Sequence, residues 1–262
     1  MYKRLFPSIR NYTTSKSTVD PNEIEHFRHV ADEWWNKNGR LRGLHTFNNV
    51  RIPFIQNRLI KIGVLRPHER ITTSSQDFSI LDVGCGGGIL TEGLSRLGYN
   101  VTGLDPNSEL IDVAKFHVKD ENLPQLQYEC STIEEFGVTN SEKYNVVVSS
   151  ETIEHVTEKE EFLKSSIQCL KPGGSLFITT INKTWLGRFS AIDLWENVFK
   201  CVPKGTHEYD KFIGLNDLIE MLSKEKCTTI FTSGLFYNPY LNKWYSTKNK
   251  YFSYALHAIK VC

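Results

Sequence analysis

The sequence lacks any apolar run long enough to cross a lipid bilayer, which takes about 20 consecutive residues. It also lacks an excess of charge, because 31 basic and 30 acidic residues leave a formal net charge of +1. Without a strong positive field, nucleic acid is not an expected partner. Because no apolar run is long enough to cross a bilayer, any contact with a membrane is expected to be peripheral.

Cysteines are few and widely separated in the sequence. No Cys-x-x-Cys motif and no close pair occurs among the six cysteines, Cys85, Cys130, Cys169, Cys201, Cys227 and Cys262. This argues against both a disulfide framework and a structural zinc site, and it suits a reducing compartment. The 262 residues, 40% of them hydrophobic, are enough for one large α/β domain.

Acidic residues are missing from the first 18 positions, which contain Lys3, Arg4, Arg10 and Lys16 together with several Ser and Thr. This composition is typical of a mitochondrial transit peptide, and Arg10 precedes a possible matrix-processing site. A disordered basic tail is the alternative. We expect a leader over residues 1–18 and a catalytic domain over 19–262.

Helical periodicity dominates residues 19–65, where Asp20 and Pro21 have the pattern of an N-cap followed by a first helical residue. We expect these helices to cap the carboxyl edge of a sheet. Strand and helix patterns then alternate, with seven strands predicted at 80–83, 100–104, 126–130, 144–149, 175–180, 228–232 and 251–259. Repeated β-α units of this length predict an α/β fold with a doubly wound, mostly parallel seven-stranded sheet.

A glycine-rich loop, Asp82 to Gly88, lies between the first predicted strand and a helix. Glycines there allow positive φ and let a ligand lie against bare backbone. Asp105 ends the next strand 23 residues after Asp82, where an acid can bind ribose hydroxyls. A nicotinamide oxidoreductase shares this geometry, but its G-x-G-x-x-G fingerprint differs from the D-x-G-x-G-x-G found here. The loop instead resembles motif I of class I S-adenosylmethionine-dependent methyltransferases, in which Asp82 orients the methionyl ammonium side and Gly84 and Gly86 approach the amino-acid moiety.

The segment Ser149 to Val156 follows the fourth predicted strand, at the sheet edge where open α/β folds bind ligands. Glu151, Glu154 and His155 are spaced i, i+3 and i+4, so a helical turn would place all three on one side. Two carboxylates and an imidazole suit a divalent cation. The alternative is a structural turn in which His155 packs, caps or acts as a general base.

Several segments together resemble the ubiquinone-biosynthesis O-methyltransferase family, and the similarity covers nearly everything after residue 19. They are 20–27, 34–35, 44–51, LDVGCGGGIL, VTGLD, ETIEHV, LKPGG and PKGTH leading to 211–213. The resemblance implies methylation of catechol-type hydroxyls in polyprenylated intermediates, namely polyprenyl dihydroxybenzoate and demethylubiquinol. A non-catalytic subunit on the same fold is the alternative, which the retained Asp82 and Asp105 speak against.

The resemblance also implies site residues. Arg51, Gly84, Asp105 and Ser150 match positions that bind S-adenosylmethionine. Glu151, Glu154 and His155 match ligands of a divalent metal, Mg²⁺ with Zn²⁺ or Mn²⁺ as alternatives, which would orient the hydroxyl and lower its pKa.

The resemblance further implies a lipid-bound substrate, and we therefore expect a peripheral position on the matrix side of the mitochondrial inner membrane, in a complex with other coenzyme Q biosynthesis proteins. Residues 185–213 supply an aromatic, amphipathic pattern with basic edges that suits an anionic bilayer surface. Trp185, Phe189 and Trp195 lie on its apolar side. The alternative is a lid helix packed on the core.

Overall fold

The structure is a computed structural model that describes residues 17–66, 78–188 and 209–261. Its strands are β1 (Ser79–Val83), β2 (Asn100–Asp105), β3 (Leu126–Cys130), β4 (Tyr144–Ser150), β5 (Leu170–Ile181), β6 (Cys227–Asn238), β7 (Lys243–Thr247) and β8 (Ser253–Lys260). The α-helices are α1 (Pro21–Arg28), α2 (Arg42–Lys61), α3 (Ile89–Ser95), α4 (Ser108–Val118), α5 (Ile133–Thr139), α6 (Lys159–Cys169), α7 (Trp185–Arg188) and α8 (Leu215–Lys224). Short 3-10 turns lie at Ala31–Glu33, Ile153–His155 and Tyr209–Lys211.

The strands form one sheet in the order β3-β2-β1-β4-β5-β8-β6-β7. The first five are parallel, whereas β8, β6 and β7 are joined to the sheet by antiparallel pairs. The doubly wound, mostly parallel fold is confirmed, but the described residues contain eight strands rather than seven. The additional strand is β7, a five-residue edge strand that the sequence does not predict because alternation of apolar and polar residues is weak in it.

Strand β4 shows how the sheet is buried on both faces. Val146 and Val148 pack on one face with Leu59 of α2, and Val147 packs on the other with Leu163 of α6. All three valines are at most 2% exposed. An unbroken apolar run is what a central parallel strand requires, because neither face meets water.

The predicted N-terminal helices are present, but only α1 and the turn that follows it lie over the carboxyl edge of the sheet, whereas α2 packs on a face of the sheet. Asp20 caps α1 by accepting a hydrogen bond from the Asn22 amide, and Pro21 is the first helical residue, as predicted. Trp35 donates its indole N–H to the carbonyl of Gly87 at 2.9 Å. Asn107 likewise donates to the carbonyl of Ile24 at 3.0 Å. The cap is therefore bonded directly to the loops that follow β1 and β2.

The predicted boundary after residue 18 falls inside the packed chain. Thr18 is buried, its hydroxyl donates to Glu134 at 2.7 Å, and Val19 bridges Val156. The folded part therefore includes Thr18, while residues 1–16 of the predicted leader lie outside the described residues.

Most of the predicted amphipathic segment, residues 189–208, also lies outside the described residues. In the parts of the chain that the structure describes, no helix is both long and apolar enough to span a bilayer.

Trp34 is the cap residue whose removal should loosen the fold most. It is 6% exposed and packs against the backbone of Gly86 and Gly87. We predict that Trp34→Ala lowers the free energy of unfolding by about 3 to 5 kcal/mol, the usual cost of truncating a buried aromatic side chain. The control Trp185→Ala removes an exposed indole and should change stability by no more than about 0.5 kcal/mol. Urea denaturation measures both variants. An unfolding midpoint of Trp34→Ala equal to that of the unmodified protein would contradict this role of Trp34.

Candidate functional site

A cavity of about 220 Å³ opens at the carboxyl edge of the parallel strands, beneath the cap. Of the residues predicted from the sequence, those that line it are Arg51, Asp82, Gly84, Gly86, Asp105, Ser150, Glu151 and His155. Glu154 does not line it. The fold thus brings the predicted cofactor residues and two of the three predicted catalytic residues to one place.

The glycine-rich loop has the backbone that the sequence predicts. Gly84 and Gly86 have φ values of +73° and +55°, a region that residues with a Cβ rarely adopt. A Cβ on Gly84 would collide with Thr152, and one on Gly86 would collide with Trp34. The loop is therefore bare partly because side chains of this protein already lie against it.

Asp105 holds the loop in place with its carboxylate. One oxygen accepts the amide N–H of Gly86 at 2.8 Å, and the other accepts that of Asn107 at 2.9 Å. Burial raises the pKa of Asp105 to about 6, and the nearby Asp82 acts in the same direction, whereas the two amides oppose the shift. Each carboxylate oxygen retains acceptor capacity for a further hydroxyl.

Asp82 is 2% exposed at the end of β1 and accepts a hydrogen bond from the Thr91 hydroxyl at 2.6 Å. Burial raises the pKa of its carboxyl group, while Thr91 and the positive charge of Arg51 lower it. This arrangement fixes an acid at the entrance of the glycine loop.

Arg51 is a buried cation, 6% exposed, on the α2 face that meets the sheet. It donates to the side chains of Asn48 at 2.7 Å and Ser150 at 3.0 Å. Burial lowers the pKa of its guanidinium to about 10, although Asp82 and Glu151 favour the charged form through space. It makes no ion pair with any described residue, so a ligand carboxylate would find a desolvated positive charge there.

The turn after β4 contains Glu151, Glu154 and His155, the three residues predicted to act together, but it is not a continuous helical turn. Glu151 has a left-handed backbone (φ 56°) and precedes the 3-10 turn Ile153–His155, so the helical spacing does not apply to it. Its carboxylate accepts from Thr179 at 2.9 Å, and the buried Glu154 accepts from Thr180 at 2.8 Å. The residue types suit a divalent cation, and the metal that they are expected to bind remains a prediction.

Within the described ranges, one group of residues has its potential ligand atoms close enough to hold a metal, and it is elsewhere: Glu92, His117 and Glu121. The guanidinium of Arg96 contacts both of those carboxylates. A cationic side chain thus already occupies that group, which makes a metal there unfavourable.

His155 is oriented by a residue of the cap that the sequence analysis did not select. Its Nδ1 lies 3.1 Å from a carboxylate oxygen of Glu23, and the edge of the Phe27 ring packs against the imidazole. Lys211 bonds the other oxygen of Glu23 at 2.9 Å. Burial alone would raise the pKa of Glu23, but His155 and Lys211 outweigh it and lower the pKa.

Comparison with known proteins agrees with this geometry. A family described as "Methyltransferase domain" matches residues 54–225. The mitochondrial ubiquinone biosynthesis O-methyltransferase of Mus musculus is 39% identical over 97% of this chain and 68% of its own length. The ubiquinone biosynthesis O-methyltransferase of Bartonella tribocorum is 37% identical over 93% of this chain and 97% of its own length.

Among solved structures, the magnesium protoporphyrin IX methyltransferase of Synechocystis PCC 6803 with bound SAH has a TM-score of 0.60 and 15% identity. The match covers 90% of this chain and 97% of that one, and it shows a shared fold. The sequence matches, which extend over nearly the whole chain, place the protein among S-adenosylmethionine-dependent methyltransferases. Within that class, the chain belongs to the ubiquinone biosynthesis O-methyltransferase family.

Proposed function

We propose that the chain methylates a catechol-type hydroxyl of polyprenylated intermediates in ubiquinone biosynthesis, polyprenyl dihydroxybenzoate and demethylubiquinol. One observation carries the proposal: Asp105 and Arg51, which suit the two ends of S-adenosylmethionine, share a cavity with Glu151 and His155, which suit a hydroxyl proton. The names of its relatives support ubiquinone biosynthesis as the pathway and an oxygen atom as the methyl acceptor.

The cofactor assignment follows from the charges in the cavity. Asp105 accepts the ribose hydroxyls, Arg51 pairs with the methionyl carboxylate, and Asp82 favours the ammonium group. Ser150 supports this by holding one nitrogen of the Arg51 guanidinium at 3.0 Å. When bound, the cofactor supplies a methyl group made electrophilic by its sulfonium.

Proton removal is assigned to the Glu23–His155 pair. If Nδ1–H of His155 donates to Glu23, the imidazole accepts a proton at Nε2, and the carboxylate stabilises the imidazolium that forms. The catechol oxygen bonds to the methyl carbon as the carbon–sulfur bond breaks, and the hydroxyl proton passes to His155. Glu151, whose carboxylate accepts a hydrogen bond from Thr179, lines the same cavity and has the role of accepting the second hydroxyl in this proposal.

A mitochondrial location, at the matrix side of the inner membrane and within a complex of coenzyme Q biosynthesis proteins, is part of the same proposal. Mitochondrial relatives support the compartment. The lipid-bound nature of the substrate supports a peripheral membrane contact.

Cofactor affinity should depend on pH through Asp105. Ribose hydroxyls bind its charged form, so S-adenosylmethionine affinity should fall as the pH is lowered through about 6, where the carboxyl group takes up a proton. We predict that Asp105→Ala weakens binding by about 10-fold to 150-fold at neutral pH, because hydrogen bonds to charged groups contribute roughly 1.5 to 3 kcal/mol. The variant should also lose the pH dependence. Calorimetry measures the affinity, and the control variant Asp112→Ala should bind S-adenosylmethionine as tightly as the unmodified protein, with the same pH dependence. Unchanged affinity in folded Asp105→Ala would refute the ribose assignment.

The orientation of His155 can be tested through Glu23. We predict that Glu23→Gln lowers kcat by about 10-fold to 100-fold, part of what a general base contributes, with S-adenosylmethionine affinity unchanged. Glu25→Gln, an exposed carboxylate on the same helix, is the matched control and should keep normal turnover. Steady-state kinetics with a water-soluble catechol gives the answer, and a normal kcat in Glu23→Gln would show that the pair has no catalytic role.

The divalent metal implied by the sequence resemblance remains a prediction, and none of the steps above uses it. If that prediction is right, a chelator stops turnover without weakening cofactor binding, and Mg²⁺, Zn²⁺ or Mn²⁺ restores it. Full activity in enzyme that elemental analysis shows to be metal-free would mean that His155 and its carboxylate partner suffice.

A further inference from the structure

A chain of hydrogen bonds joins two cavity side chains that have opposite charges. At one end, the guanidinium of Arg51 donates to the Ser150 hydroxyl at 3.0 Å. The hydroxyl oxygens of Ser150 and Thr179 lie 2.8 Å apart, and the Thr179 hydroxyl donates to the carboxylate of Glu151 at 2.9 Å. Thr179 is 4% exposed and does not line the cavity, whereas the other three residues do. The two sides of the cavity are therefore connected through a residue outside it.

The two ends of this chain determine the direction in which its protons point. A guanidinium only donates hydrogen bonds, an ionised carboxylate only accepts them, and a hydroxyl group has one proton to donate. Since the Thr179 proton goes to Glu151, Thr179 accepts the proton of Ser150. Ser150 in turn accepts from Arg51. Hydrogen bonds that run in one direction polarise and strengthen one another, so the Thr179 hydroxyl is held as a donor toward Glu151.

The backbone places Thr179 beside the turn that carries Glu151. Thr179 is the register partner of Ser150 in the parallel pair of β4 and β5, so their side chains lie on the same face of the sheet. The carbonyl of Thr179 also accepts the amide N–H of Glu151 at 2.9 Å. Glu151 has a left-handed backbone, which residues with a Cβ rarely adopt. Thr179 thus bonds both the main chain and the side chain of Glu151 where the backbone is strained.

We propose that Thr179 is a positioning residue that determines how strongly the cavity favours a catechol over a phenol with a single hydroxyl group. The inference rests on the proposed function, in which Glu151 accepts the second hydroxyl of the substrate. A flexible carboxylate loses rotational freedom when it binds a ligand, and a donor that already fixes the carboxylate reduces this loss. The Thr179 hydroxyl is that donor, and it acts through Glu151 without touching the substrate.

Removal of the Thr179 hydroxyl tests the proposal. Calorimetry on protein saturated with S-adenosylhomocysteine gives the affinities for a tail-free catechol and for the matching phenol that lacks one hydroxyl group. The nearly isosteric variant Thr179→Val should weaken catechol binding about 10-fold, the lower end of the effect of a hydrogen bond to a charged group, and phenol binding by less than about threefold. Thr179→Ser retains the hydroxyl and should keep the catechol preference of the unmodified protein.

Thr102→Val is the matched control. Thr102 is also a buried strand threonine, its hydroxyl accepts that of Tyr144 at 3.2 Å, and neither residue lines the cavity, so both affinities should stay unchanged. Ser150→Ala interrupts the chain one step earlier and should weaken catechol binding by a smaller factor than Thr179→Val. Adding Ser150→Ala to Thr179→Val should cause no further loss, because residues of one hydrogen-bond network have non-additive effects.

Equal losses for catechol and phenol in Thr179→Val would overturn the proposal and leave Thr179 with a structural role only, and so would an unchanged catechol affinity. If valine prevents folding, Thr179→Ala removes the same hydroxyl and gives the same comparison. Methylation of the tail-free catechol by the unmodified protein separates the two proposals. Its absence refutes the proposed function and this inference with it, whereas methylation together with a normal catechol preference in Thr179→Val refutes the inference alone.

Discussion

The contact between the Trp34 indole and the bare backbone of Gly86 and Gly87 is the constraint on which the site depends. Nothing larger than glycine fits beneath the indole, so the loop and the N-terminal cap determine each other's position. Trp35 adds a hydrogen bond to Gly87, and the amide of Gly86 bonds to Asp105. The segment around Trp34, about 50 residues upstream, thus fixes the position of the glycine-rich loop.

The same cap supplies the carboxylate that contacts the imidazole of His155, which we propose as the proton acceptor. Glu23 contacts His155 from α1 and accepts a hydrogen bond from Lys211, which is 188 residues later in the sequence. Buried charges are tolerated when they are paired in this way, because each partner offsets the desolvation of the other. The glycine-rich loop, His155 and the cap therefore form one connected unit. If their proposed roles are right, displacement of the cap disturbs both cofactor binding and proton removal.

Much of this architecture was accessible from the sequence, and the exceptions have physical causes. The glycine loop and Asp105 were predicted because backbone requirements leave local signals. Glu23 was not predicted as a site residue, because an acid in the first turn of a helix commonly stabilises the helix N-terminus. Nothing in the neighbouring sequence connects it to His155. The left-handed backbone of Glu151 was not predicted either, because the i, i+3, i+4 spacing assumes a helical turn from that residue onward. Strand β7 was missed since an edge strand needs little apolar alternation.

In the proposed reaction, a methyl group passes from S-adenosylmethionine to a catechol oxygen within one cavity. A single-turnover reaction with methyl-labelled cofactor and a tail-free catechol tests this most directly, with the product identified by mass spectrometry and NMR. A single label located in an aryl O-methyl ether is expected. Label on a ring carbon, or bound cofactor that transfers nothing to the catechol in folded enzyme, would contradict it.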